Sequence, residues 1–500
     1  MGRRPLLSAS EADAQPEPDQ AAQHRPPAVG AAQHLGREEA WAWLWAWPAR
    51  GLKGAGRSSC ADSGQDSGGC CARYWGRGLR RRRGGLSPPR AAARSGLVMA
   101  TEQRPFQLVV FGASGFTGQF VTEEVAREQM ASEQSSRLPW AVAGRSKEKL
   151  QQVLEKAAQK LGRATLSSEV GIIICDISNP ASLDEMAKKA TLVLNCVGPF
   201  LELMHVKYHE KAAEKGVYII GSSGFDSIPA DLGVLYTRNQ MNGTLTAVES
   251  FLTINSGPEG LCIHDGTWKS AIYGFGDKGS LRKLRSVSNL KPVPVIGSKL
   301  KRRWPVSYCR ELNSYAIPFL GSDMSVVKRT QRYLHENLED SPVQYAAYIT
   351  VGGITSVIKL MFAGLFFLFF VKFSIGRQLL VKFPWLFSFG YFSKRGPTQK
   401  QMDESSFTMT FFGQGYSHGV SAEKNKPNIR ICTQVKGPEA GYVATPIAMV
   451  QAAVTFLNDA SDLPKGGGVF TPGAAFSRTK LIDRLNQHGI QFSVISSSEV

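Results

Sequence analysis

The chain is 500 residues long, enough for two to four domains with substantial cores, and carries a formal net charge of +18. Its basic excess is +7 over residues 1–98 and +11 over the remainder, so it suits an anionic membrane, a nucleic acid or a phosphate-bearing cofactor and selects none of them alone. Eight cysteines with no C-x-x-C pair argue against zinc ligation and a disulfide framework, point to a reducing compartment and leave no metal site to expect.

Residues 1–98 are rich in Ala, Arg, Gly, Pro and Ser, with a basic run from Arg80 to Arg83 and no methionine between Met1 and Met99. The start lacks the continuous apolar stretch of a secretory signal. Glu11, Asp13, Glu17 and Asp19 are too many acids for a mitochondrial transit peptide. The composition is that of disordered chain, and the segment reads as an extension outside the folded protein. A basic RNA-binding or targeting arm is the alternative.

From Gln107 strands and helices alternate. QLVVFG (107–112) is a strand, and 116–130 an amphipathic helix with Phe116, Phe120, Val121 and Val125 on one face. WAVAG (140–144) is a second strand, followed by a helix over 147–161. GIIICDI (171–177) is a third strand, apolar throughout as a strand covered on both faces should be. A helix starts at Pro180, TLVLNCVG (191–198) is a fourth strand, 201–215 a helix, and GVYIIGSSG (216–224) a fifth strand. Cys175 and Cys196 sit in these apolar runs as small core residues. The alternation predicts an α/β class, a Rossmann-type doubly wound parallel sheet of five strands.

Ligands bind such a sheet at the carboxyl ends of its strands. The first turn, GASGFTG, spaces Gly112, Gly115 and Gly118 three apart. Gly112 permits the tight turn, Gly115 lets a pyrophosphate approach the backbone, and Gly118 packs the helix on the sheet. Ala113, Ser114, Phe116 and Thr117 complete this candidate cofactor turn, and no G-K-[ST] of a Walker loop follows. The second strand ends in Gly144-Arg145-Ser146-Lys147, without the acid that takes the ribose hydroxyls of NAD. Arg145 and Lys147 suit the extra phosphate of NADP, with Ser146 between them also in the candidate set, so NADP is the expected cofactor and NAD the weaker fit. Asp176 is placed to reach the adenine edge or cap a helix. Cys196, Val197, Gly198 and Pro199 would line the nicotinamide side.

The pattern changes after Leu232. AVESFLTIN (247–255), FTMTFFGQGY (407–416) and NIRICTQVKG (428–437) alternate as strands of an antiparallel or mixed sheet, and LCIHDGTWKSAIYGF (261–275) runs from a loop into a helix. His264, Asp265, Thr267 and Lys269 could orient a substrate or donate a proton, but a polar turn and helix cap is the preferred reading, since spacing does not place them in a pocket. No catalytic residue is assigned, and no Tyr-x-x-x-Lys signature stands at a suitable place. LMFAGLFFLFFV (360–371) is twelve uncharged residues, short for a membrane span. Ten of the 26 phenylalanines fall in 360–392, among Trp385, Tyr391, Lys372, Arg377 and Lys382, with Lys394 and Arg395 just beyond. Segment 357–392 therefore reads as a monotopic hairpin on a membrane or lipid-droplet surface, with a buried homodimer interface as the other reading. A helix over 442–459, a glycine loop (466–476) and a helix then strand over 481–495 close the chain.

LVVFGASGFTGQFV, WAVAGRS, NCVGP, GSSGFDSIPADLG, HDGTWKSA and GGVFTPGAAF resemble the saccharopine dehydrogenase-like oxidoreductase family over essentially 99–500. The resemblance implies a Rossmann domain (99–232), a second α+β domain for substrate and dimerisation (233–440), and a tail (441–500) that packs back on the first. It implies an oxidoreductase, with relatives linked to lipid and glycolipid synthesis. A small-molecule or lipid substrate is then expected, with no nucleic acid, on the cytoplasmic side of a lipid droplet or membrane, or else in the mitochondrion. The family also has a further helix, strand and loop after its G-P. Here Gly198-Pro199-Phe200 runs straight into LELMHVKYHEKAAEKG, so one helix-and-strand repeat is expected to be missing. An inactive NADP-binding scaffold on a lipid surface is therefore the alternative to an active enzyme.

Overall fold

The computed structural model describes residues 104–131, 137–197, 201–276 and 292–499, so the expectation for residues 1–98 lies outside it. β1 (Phe106–Phe111) leads through the glycine turn into α1 (Phe116–Ala131). Then come β2 (Trp140–Gly144), α2 (Lys147–Leu161), β3 (Gly171–Ile174), α3 (Pro180–Lys189), β4 (Ala190–Asn195), α4 (Leu201–Glu214) and β5 (Tyr218–Ile220). α2 shows why the local sequence folds this way. Leu150, Leu154, Ala157 and Ala158 form its buried stripe, Ser146 caps its start by accepting the Lys149 N–H, and Gly162 at φ 66° ends it.

β3, β2, β1 and β4 form one parallel sheet in that order. Both faces of β1 are covered: Leu108 and Val110 lie in one apolar cluster, Val109 and Phe111 in another. The expected five-stranded sheet is corrected in one respect. β5 does not join β4; it pairs in parallel with β14 (Gly468–Phe470) as a separate two-stranded ribbon. Between β4 and β5 lies a small apolar cleft of about 30 Å³, lined by Leu192 and Leu194 of β4, Tyr218 and Ile220 of β5, and Met449 and Phe456 from the helix that packs beside them. Alternation in sequence identified the strands but could not identify their neighbours. Among the described residues no strand occupies this position, the arrangement expected if one repeat is missing after Pro199.

α5 (Ile228–Gln240) carries the chain out of the first sheet. The second part comprises β6 (Thr244–Asn255), β7 (Ile263–His264), α6 (Asp265–Gly276), β8 (Ser307–Cys309), β9 (Ser314–Pro318), α7 (Asp323–Leu338) and β10 (Gln344–Val351). It continues through α8 (Ile354–Lys372), α9 (Ser374–Lys382), β11 (Phe392–Ser393), β12 (Ser406–Tyr416) and β13 (Ile429–Pro438). After α10 (Thr445–Asn458) and β14, α11 (Leu481–Gln487) and β15 (Gln491–Glu499) complete the chain. A seven-stranded mixed sheet runs β15-β13-β12-β6-β10-β9-β8, with only β6 and β10 parallel. Phe407, Met409 and Phe411 alternate along β12 onto the core shared with α5. The last strand, β15, belongs to this second sheet rather than to the first.

Two long apolar helices behave oppositely. α10 joins the two cores: Met449, Val450 and Ala453 pack into the β1 cluster, while Ile447, Ala448 and Ala452 pack into the β12 cluster. Each fully buried Val or Met there contributes about 1.5–3 kcal/mol, so this apolar sequence is a core helix. α8 is 19 residues long and long enough to cross a bilayer, yet only 11% of its apolar window is buried. The twelve-residue apolar run lies inside this longer helix, which Thr355, Ser356 and Lys359 extend.

Candidate functional site

Gly112 turns at φ +81°, and a Cβ there would stand 2.4 Å from Val197 Cγ2. A Cβ on Gly118 would stand 2.1 Å from the Gly112 carbonyl oxygen. The Gly115 N–H donates to that same oxygen at 2.8 Å, closing the turn and leaving Ser114 and Gly115 exposed above it. The first and third glycines thus hold the start of α1 tight against the strand, and the turn keeps an open surface at a positive helix end. That cradle fits a pyrophosphate. Ala113 is buried beneath it, and Phe116 and Thr117 open α1.

At the end of β2, Arg145 is exposed and Ser146 caps α2, its hydroxyl also donating to Glu148 at 2.8 Å. The Asp176 carboxylate accepts the Ser178 N–H at 2.9 Å and the Ser178 hydroxyl at 2.8 Å. Those bonds, with a smaller contribution from the Arg145 charge, hold Asp176 below the usual carboxylate range. Asp176 is thus an ionised turn residue beside Arg145, leaving Arg145 as the group suited to a cofactor phosphate. At the end of β4, Val197 donates its N–H to Asn195 Oδ1 at 2.9 Å, and desolvation pushes the Cys196 thiol up to about 12. Cys196 is therefore no thiolate nucleophile. Gly198 and Pro199 lie outside the described residues.

The structure brings the His264 segment to the turn, which sequence spacing had left open. The His264 ring stacks on Phe116 at 4.2 Å with 7° between planes. The His264 N–H donates to the Tyr442 hydroxyl at 2.8 Å, and the Tyr442 ring meets Phe116 edge-on at 4.9 Å. Glu439 fixes Tyr442 by accepting the N–H groups of Gly441, Tyr442 and Val443 at 2.8, 2.6 and 3.2 Å. Burial raises the Tyr442 hydroxyl well above the ordinary tyrosine range, so it stays neutral. Asp265 is buried and pairs with Lys269 at 2.8 Å. Desolvation lowers His264, against the opposing pull of Asp265. A partly exposed neutral imidazole beside a carboxylate–ammonium pair can pass a proton. Thr267 belongs to the same first turn of α6. Nothing in the sequence around Tyr442 or Glu439 signalled this role; they lie 326 and 323 residues from Phe116 and meet it only through the fold.

Residues 108–226 match the family model described as the saccharopine dehydrogenase NADP binding domain. "Saccharopine dehydrogenase-like oxidoreductase" of Rattus norvegicus is 94% identical over 429 residues, covering 80% of this chain and 100% of that protein. Since 80% of this chain is about 400 residues, roughly 30 positions of that alignment have no counterpart here, about the size of one strand-and-helix unit. "Lipid droplet localized protein" of Caenorhabditis elegans is 35% identical over 438 residues, covering 79% of this chain and 99% of that protein. "Probable mitochondrial saccharopine dehydrogenase-like oxidoreductase" of Arabidopsis thaliana is 32% identical over 453 residues, covering 80% and 99%. An NADP-type glycine turn on a parallel sheet, matched across the whole length of such relatives, places this chain in the saccharopine dehydrogenase-like oxidoreductase family.

Proposed function

We propose that this chain is an NADP-dependent oxidoreductase that works on an apolar, lipid-associated substrate while docked on a lipid surface. The observation that carries the reading is the placement of α6. Its first residue follows His264, stacked on the cofactor turn, while its Trp268 and Ile272 pack with Val371 and Leu380 of the apolar helices. Trp268 Nε1 also donates to the Leu380 carbonyl at 2.9 Å. One helix thus spans from the nucleotide turn to a surface where Phe362, Phe369, Ile375, Trp385 and Phe389 are exposed. Those exposed groups, flanked by Lys372 and Lys382, suit insertion into one leaflet.

Gly112, Ala113, Ser114, Gly115, Phe116, Thr117 and Gly118 would hold the pyrophosphate, with Arg145 and Ser146 at the adenosine phosphate. When bound there, NADPH would supply the hydride for a C=C or C=N bond. The partly exposed His264, protonated from solvent, would supply the accompanying proton and return to the neutral imidazole. The worm relative's name supports a lipid-droplet location and the plant relative's a mitochondrial one. A second copy of the chain covering the same apolar surface would be the dimer reading.

A second reading is an NADP-binding scaffold without turnover; it is favoured by the position of β4, the strand leading to Cys196 and Val197, at the end of the first sheet with no described strand beyond it. The test is oxidation of NADPH followed by absorbance, with vesicles made from a cellular lipid extract. Turnover that requires the extract supports the enzyme. NADPH binding and vesicle flotation without turnover on any extract fraction supports the scaffold.

A further inference from the structure

The turn from Gly112 to Gln119 contains no cationic side chain, and Arg145 lies beside Asp176 on the adenosine side. A pyrophosphate seated over Ser114 and Gly115 would have N–H donors and a positive helix end but no cation from the first domain. The second domain brings two. β11 pairs with β7, Phe392 opposite Ile263 and Ser393 opposite His264. The chain then passes through Lys394 and Arg395 and turns at Gly396, φ +72°, where a Cβ would stand 2.2 Å from Phe116 Cζ. Ser393 Oγ accepts the Gly396 N–H at 3.0 Å, and Cys262 Sγ lies 3.4 Å from Ser393 Oγ and 3.5 Å from the Gly396 carbonyl oxygen. The His264 side chain reaches the Lys394 backbone while its ring stacks on Phe116. Lys394 and Arg395 are exposed, with no ion pair among the described residues.

We propose that Lys394 and Arg395 form a second phosphate-binding pair of the cofactor site, supplied by the second domain and closing over the pyrophosphate. This rests on the reading that the glycine turn holds NADP. Basic residues after an apolar segment also suit lipid headgroups, and the shared chemistry is a phosphate-bearing anion. The packing decides between the two. The loop is anchored on Phe116 of the nucleotide turn through Gly396 and on His264 through the β7 pairing. Arg and Lys are complementary here, a planar fork and a compact point charge that both suit phosphate oxygens.

The experiment is calorimetric titration of the full chain and of K394Q/R395Q with NADP and with NAD, at two salt concentrations, beside flotation on phosphatidylcholine vesicles with and without phosphatidylserine. The proposal expects both dissociation constants to rise at least about tenfold, because the two cofactors share the pyrophosphate, and expects the salt dependence to flatten. Flotation and the apo melting temperature should stay unchanged. Unaltered NADP affinity with lost flotation on the anionic vesicles assigns the pair to headgroups and overturns the proposal. A rise for NADP but not NAD also overturns it, since that places the pair at the adenosine phosphate. If the unmodified chain binds neither cofactor, the underlying reading fails and the proposal falls with it. Should the double variant melt early, K394Q and R395Q singly carry the same test, with a rise of at least about threefold each.

Discussion

Gly118 leaves no room for a methyl group beneath the first turn of α1, since the Gly112 carbonyl oxygen would be 2.1 Å away. Gly118→Ala should push α1 off the strand, lowering stability by about 1–3 kcal/mol and abolishing the rise in melting temperature on adding NADP. A thermal shift assay with and without cofactor reads both effects. These glycines were legible in the sequence because their work is local: a turn, a close approach and a helix start all follow from spacing. His264 was only half legible. Its polar neighbours showed in HDGTWK, but its place at the turn depends on a stack across 148 residues of chain. Tyr442 gave no signal, because its hydroxyl acts as an acceptor inside an apolar stretch.

Elements were legible wherever periodicity is strong. α2 and α3 occupy the predicted residues, and β2 the predicted five. Partnership was not legible. β5 reads as one more buried strand, yet its neighbour β14 lies some 250 residues later, and only the assembled sheet separates it from β4. The junction of α10 and α11 shows how the tail is locked. Arg484 donates to both oxygens of Asp459 at 2.8 Å, and the Lys480 N–H donates to Asp459 at 2.9 Å. The Arg484 hydrogen bonds, ahead of the Lys480 N–H, hold Asp459 down to about 2. A depressed carboxylate stabilises the fold above its unfolded value near 3.9, and the contribution is lost as pH falls from there toward 2. Asp459→Asn should cost about 1 kcal/mol at neutral pH and flatten the acid limb of stability, as urea titrations between pH 2 and 6 will show. α8 behaves as an exposed apolar element. Phe362→Asp with Phe369→Asp, both exposed, should remove vesicle flotation while leaving the free energy of unfolding within about 0.5 kcal/mol of the parent.

At the scale of the whole molecule, two sheets are joined by α10 and by α5, and the join holds where the first sheet is interrupted. The cleft beside β4 leaves a strand edge unpaired among the described residues, so β4 lacks the protection that β1 has between two neighbours. Amide hydrogen exchange should therefore be faster in β4 and β5 than in β1 and β2, and similar rates across all four would argue for a closed sheet. The expected omission shows in the sequence only as a break in family resemblance at Pro199, because removing a whole repeat would preserve the alternation. The structure adds that the ribbon β5–β14 stands apart from β4. Gly112 and Arg145, the proposed adenosine half of the site, follow β1 and β2, the two strands of this sheet that are paired on both edges. The most direct measurement is therefore calorimetric titration of the full chain with NADPH and NADH, repeated on Arg145→Ala. The account predicts saturable binding of one NADPH per chain, NADH weaker by about tenfold or more, and loss of that difference in the variant. Equal affinity for the two cofactors, or no saturable binding of NADPH, would contradict it.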